Sequence, residues 1–183
     1  QKPHHEYNVG TTSGDWYSGP KDAKGVPAST MRDGTPKGYA FLHVDGNQYK
    51  FDYKVANAPK ERQIDLYHTK KVKEGKRNQA FLFANFFMGY QANKVEYRIA
   101  NGEWKAMEWS PSVDYNYMNT LIKIDNAEIT SIGRRPSAPE ISQHLWSVRL
   151  PNKLKAGNYA IEVRATDLYG NTFTEKSSFE VIK

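Results

Sequence analysis

A cysteine-free chain of 183 residues with a formal net charge of +6 can bury a core of its own, and it holds neither a disulfide framework nor a thiolate metal site. No run of eighteen apolar residues occurs, which excludes a membrane-spanning helix. Much of the charge excess sits in one run, Lys70-Lys71-Val72-Lys73-Glu74-Gly75-Lys76-Arg77, while elsewhere basic and acidic residues are interleaved, so the sequence reads against a nucleic-acid partner.

Gln1 to His5 carry neither an initiator Met nor an apolar signal core, and the sequence reads as cut from something longer. Strand patterns then dominate. Tyr39 to Val44 runs into Asp45-Gly46, and Asn47 to Tyr53 alternates, with Tyr49, Phe51 and Tyr53 on one face. Asp-Gly between two such segments predicts a hairpin, because the turn needs positive φ. Arg62 to His68 alternates as well, and the basic run after it is expected to be a surface connection between two halves.

The second half opens with Gln79 to Asn85, apolar enough for a strand buried on both faces. Lys94 to Ile99 alternates and turns through Asn101-Gly102 into Glu103 to Met107. Residues 110–139 show no clear period, and Pro136-Ser137-Ala138-Pro139 predicts a rigid loop. Strand character resumes from Ser142 to Leu150. Tyr159, Ile161, Val163 and Ala165 then share a face before the Asp167-Leu168-Tyr169-Gly170-Asn171 turn, and Thr172 to Val181 returns. Leu154-x-x-Gly157-x-Tyr159 looks like the tyrosine corner of immunoglobulin-like sandwiches, whose phenol bonds to upstream backbone.

The chain carries no Gly-Asp-x-x-His, Gly-His-x-His, His-Glu-x-x-His, Gly-x-Ser-x-Gly or phosphate-loop motif. Its five histidines, at 4, 5, 43, 68 and 144, have no ligand spacing and read as structural. No catalytic and no metal-ligating residue is assigned, and the chain reads as a non-catalytic module.

Two constellations rise above this background: Gly14-Asp15-Trp16-Tyr17-Ser18-Gly19-Pro20, and Met31-Arg32-Asp33-Gly34-Thr35-Pro36-Lys37-Gly38-Tyr39. Dense Gly and Pro predict fixed loops flanked by aromatics. Trp16, Tyr17, Arg32, Asp33, Lys37 and Tyr39 are the candidate contacts, for an adjoining domain or for a ligand. Stacking faces on Trp16, Tyr17 and Tyr39 would suit a glycan. Arg32 and Lys37 are the cations on offer to a phosphate. Aromatics that merely close one end of the first sheet are the plain structural alternative.

Trp16-Tyr17-x-Gly19, then Asp33-Gly34-Thr35-Pro36-x-Gly38-Tyr39, is similar to the start of the C-terminal domain of bacterial calcineurin-like phosphoesterases. That family usually has Trp where Tyr17 stands. Asp45-Gly46-Asn47-x-Tyr49, Trp104 with Met107, and Ser142-x-His144-Leu145-Trp146 before Leu150-Pro151 follow in the family's order. The resemblance implies a separate metallophosphoesterase domain preceding this region. Divalent metals would be held there, with no cofactor in this chain, and that catalytic domain would be the partner. It also implies export, to the periplasm or the cell surface. The fold expected is all-β: a β-rich part with Gly/Pro loops over residues 1–78, packed on an immunoglobulin- or fibronectin-III-like sandwich over residues 79–183. The function expected is that of an accessory domain completing a phosphoesterase, the alternative being a carbohydrate- or surface-binding module.

Overall fold

Alternating side chains become paired strands in the computed structural model, which describes residues 5–75 and 79–183. β1 (Gly38–Asp45) and β2 (Gln48–Val55) form a hairpin in full register from Gly38↔Val55 to Asp45↔Gln48. Its loop is Gly46-Asn47, one residue later than Asp-Gly suggests, with Gly46 supplying a φ of +58° at the first loop position. Tyr49, Phe51 and Tyr53 do share a face. Tyr53 is buried, Phe51 is half-buried and Tyr49 is exposed, because the hairpin pairs with no other sheet and projects beyond its base.

Two larger sheets follow. β3 (Ile64–His68), β5 (Phe81–Phe86), β11 (Leu145–Arg149) and β8 (Glu108–Trp109) form one, in that order. The other runs β4 (Lys71–Lys73), β13 (Thr172–Ile182), β12 (Gly157–Thr166), β6 (Lys94–Ile99) and β7 (Lys105–Ala106). A small bridge joins β9 (Ser112–Val113) to β10 (Ile141–Ser142).

Period-2 patterning puts one face of each large sheet into a single core. Leu82, Ala84 and Phe86 of β5 and Trp146 of β11 meet Ile161, Val163 and Ala165 of β12 with Phe179 and Val181 of β13. The chain is all-β, as expected. The sheets do not divide at residue 78: β3 pairs with β5, and β4 pairs with β13.

β4 corrects the reading of the basic run as a surface connection. Val72 is buried in the core, Lys71 and Lys73 stay exposed, and the strand lies parallel to β13. Three residues with one apolar side chain are too few for periodicity to show. Lys76 and Arg77 lie outside the described residues. Lysines along a sheet edge also discourage further strand pairing.

An unexpected helix, α1 (Tyr115–Asp125), occupies the stretch without a clear period. Asp114 caps it by accepting from the Tyr117 amide at 2.8 Å. Only Tyr117 and Leu121, one turn apart, are buried, so the apolar signal is thin. Tyr115 packs against Phe83 (4.3 Å between ring centroids) and Tyr67 (5.2 Å). α1 therefore half-covers the outer face of β5, where Phe81 and Phe83 are half-buried and Asn85 is buried.

The Tyr159 hydroxyl donates to the Lys155 carbonyl at 2.9 Å, the upstream bond of the corner motif, and its ring stacks on Phe179. The bond is exposed, so Tyr159→Phe, which keeps the stack, is expected to lower stability by no more than about 1 kcal/mol. Urea denaturation measures this; a larger drop would show that the hydroxyl holds more than one turn.

Candidate functional site

Asp15 is the anchor of the first Gly/Pro loop. Its buried carboxylate accepts from the Ser137 amide at 2.5 Å and the Ser137 hydroxyl at 3.0 Å. The next two residues stand in the left-handed region, Trp16 at φ +57° and Tyr17 at φ +56°. Such a backbone costs on the order of 1–3 kcal/mol for each non-Gly residue. It turns both rings outward: Trp16 is 77% and Tyr17 52% exposed.

Neither ring is bare. The Arg134 guanidinium lies 5.3 Å from the Trp16 centroid and the Lys37 ammonium 5.7 Å from that of Tyr17. From Lys37 the row continues along one face of β1, with Tyr39 edge-on to Phe41 at 5.4 Å and Phe41 to His43 at 6.4 Å. On the opposite face Leu42, Val44 and Tyr49 are exposed. Phe41, Leu42 and Val44 escaped the sequence reading, because a hairpin strand is ordinarily packed on something.

The cations are already engaged. Lys37 is buried and its ammonium donates to the Pro27 carbonyl. Arg32 donates to the Ala138 carbonyl at 2.9 Å and pairs with Glu140 at 2.6 Å. Each cation therefore already has an acceptor within the chain.

The second Gly/Pro loop ends in a polar clasp that periodicity did not reveal. Asp33 accepts from the Thr35 amide at 2.8 Å, which closes the turn around Gly34. Its other oxygen lies 3.1 Å from His144 Nε2, and His144 Nδ1 lies 2.7 Å from Asn85 Oδ1. Asn85 Nδ2 donates to the Asp33 carbonyl at 3.2 Å and to Asp114 at 2.9 Å. With its amide nitrogen so placed, Asn85 can only accept from His144.

Burial acts to raise the Asp33 carboxyl pKa. The bond and charge of His144, helped by Thr35, outweigh it and hold the group below the ordinary carboxylate range. At Asp114 burial prevails over the Asn85 and Tyr117 bonds and pushes the carboxyl up. The clasp joins the loop to β5, to the cap of α1 and to the residue before β11.

A cleft of about 940 Å³ opens beside Asp33, Thr35 and His144. Thus the six sequence candidates split: Trp16, Tyr17, Lys37 and Tyr39 follow the aromatic row, Asp33 lines the cleft, and Arg32 stands outside its lining, paired with Glu140. Among the described residues no group of three or more His, Asp or Glu could hold a metal ion. No helix among them is long and apolar enough to cross a membrane.

Two large sheets with a projecting hairpin, clasped to the Gly/Pro loops by Asp33, Asn85, Asp114 and His144, make this an all-β domain. The family described as the C terminal of calcineurin-like phosphoesterase matches residues 6–173, and the chain belongs to it. No curated protein matches the chain. A domain of this family goes with the catalytic domain of its parent phosphoesterase. The signals that could have found the clasp were Asp33-Gly34 and Ser142-x-His144, two landmarks of the resemblance that meet in space.

Proposed function

We propose that this chain is the accessory domain of a calcineurin-like phosphoesterase and docks on the catalytic domain through the aromatic row and the hairpin. The carrying observation is where apolar surface is left uncovered. Of thirteen exposed large hydrophobic residues described, eight lie between Val9 and Tyr49, which supports a docking face on the N-terminal third. Trp and Tyr with polar tips are enriched at protein interfaces, and the left-handed Trp16-Tyr17 pair is backbone strain spent on display.

A glycan platform on these same residues is disfavoured. Tyr39 and Phe41 are inclined at 79°, so they offer no shared plane, and Arg134 and Lys37 already stand over Trp16 and Tyr17. On this reading divalent metals and the hydrolytic groups belong to the catalytic domain. The body is immunoglobulin-like, a reading supported by the Tyr159 corner. Export to the periplasm or cell surface completes the proposal and rests on the resemblance; fractionation of the producing cells tests it.

Hydrogen exchange on this chain and on the two-domain parent tests the docking. Slower exchange at residues 14–17 and 39–44 in the parent is expected. Combining Trp16→Lys with Phe41→Lys is expected to remove that protection without lowering the melting temperature of the chain alone. Identical exchange in chain and parent would sink the docking face.

A further inference from the structure

The cleft beside the clasp is walled by six separate segments: residues 5–10, the Met31–Thr35 turn, Phe51 and Tyr53 of β2, Phe87–Tyr90, residues 140–144 and the Asp167–Tyr169 turn. Its volume falls within the range of about 300–1,000 Å³ that small-molecule sites occupy. Its lining differs from the rest of this basic protein. Among the described residues it contains four carboxylates, on Glu6, Asp33, Glu140 and Asp167, and no Lys or Arg. An anionic ligand would meet repulsion without a compensating cation.

Three of those carboxylates already have partners within the chain. Asp33 faces His144, and Glu140 faces Arg32. Asp167 accepts from the Tyr169 and Asn171 amides and from the Asn171 side chain, each at 2.8 Å. Held in this way, they offer acceptor lone pairs at fixed positions. Apolar and aromatic surface lies between these groups, with Tyr90, Ile141 and Leu168 exposed and Phe51 and Tyr169 half-buried. Fixed acceptors beside ring and aliphatic faces match a molecule that carries hydroxyls on one edge and C–H groups on its face.

We infer that this cleft binds a neutral carbohydrate, with Tyr90 as a stacking face and Gln143 as a hydrogen-bonding group at the rim. The site is separate from the aromatic row, and the inference does not rest on the docking reading. Tyr90 and Gln143 suit a test because both side chains are exposed and neither belongs to the core.

The whole chain is screened on an array of neutral and acidic oligosaccharides. Affinities for retained neutral glycans are then measured by titration, with glucose 6-phosphate and choline as charged probes. Retention of neutral glycans is expected, with Tyr90→Ala and Gln143→Ala each weakening binding at least tenfold at an unchanged melting temperature. Trp16→Lys with Phe41→Lys is expected to leave this binding intact, so that failure of the docking reading and failure of the cleft are told apart. Three results would overturn the inference: no neutral glycan retained, equal binding by both cleft variants, or tighter binding of either charged probe.

Discussion

Gly34→Ala is expected to destabilise the protein by about 3 kcal/mol or more. A Cβ at this position would come within 2.3 Å of the Asp114 carboxyl carbon and 2.7 Å of Asn85 Nδ2. Both neighbours are buried and hydrogen-bonded, so neither can swing aside as a surface side chain would. Overpacking of this kind costs about 1–3 kcal/mol. The φ of +88° adds about 1–2 kcal/mol for any residue with a side chain. Gly25→Ala is the control, because Gly25 also has positive φ, at +76°, with nothing within 4 Å of its added Cβ. Urea denaturation of the two variants separates backbone strain from collision. Equal losses would mean that the turn is not clamped on Asp114.

The second large effect is expected at Asn85→Leu, a loss of about 3–5 kcal/mol. Leucine matches the shape of asparagine closely, so the substitution chiefly removes polar partners from a position only 1% exposed. Asp114 loses a donor in a buried setting, His144 loses its Nδ1 acceptor and the Asp33 carbonyl loses a donor. Each buried group left unsatisfied costs about 1–3 kcal/mol, and more where charge is involved. Denaturation gives the size of the effect. A loss below about 1 kcal/mol would show that water replaces Asn85 at little cost and that the clasp is not a structural element.

The sequence revealed those parts of the fold that depend on local alternation. The β1–β2 hairpin and the β12–β13 pair are long, regular and bounded by Gly-containing turns, and their period survives in single sequence. Helix α1 did not show, because two buried residues in eleven make a weak stripe; the Asp114 cap with Tyr117 and Leu121 four apart was the available hint. The clasp was hidden for a different reason. Asp33 and His144 stand 111 residues apart, and no spacing rule links residues that meet only through tertiary packing. Exposure of Phe41 and Val44 was equally out of reach, since an apolar strand pattern cannot say what, if anything, covers it.

The position of β13 has a consequence for how the chain is made. It lies between β4 and β12, and its last residues, Glu180 to Ile182, pair with Lys71 to Lys73. During synthesis the hairpin can close soon after residue 55 emerges, for its partners are adjacent. The five-stranded sheet has to wait until residue 182 has left the ribosome. Until then Val72, Ile161 and Val163 lack the neighbour that shields them, and the half-built body offers bare strand edges to other chains. Vectorial synthesis therefore makes β13 the closing step of this sheet. A ribosome that stalls a dozen codons before residue 182 would release a product able to form its hairpin but not its five-stranded sheet.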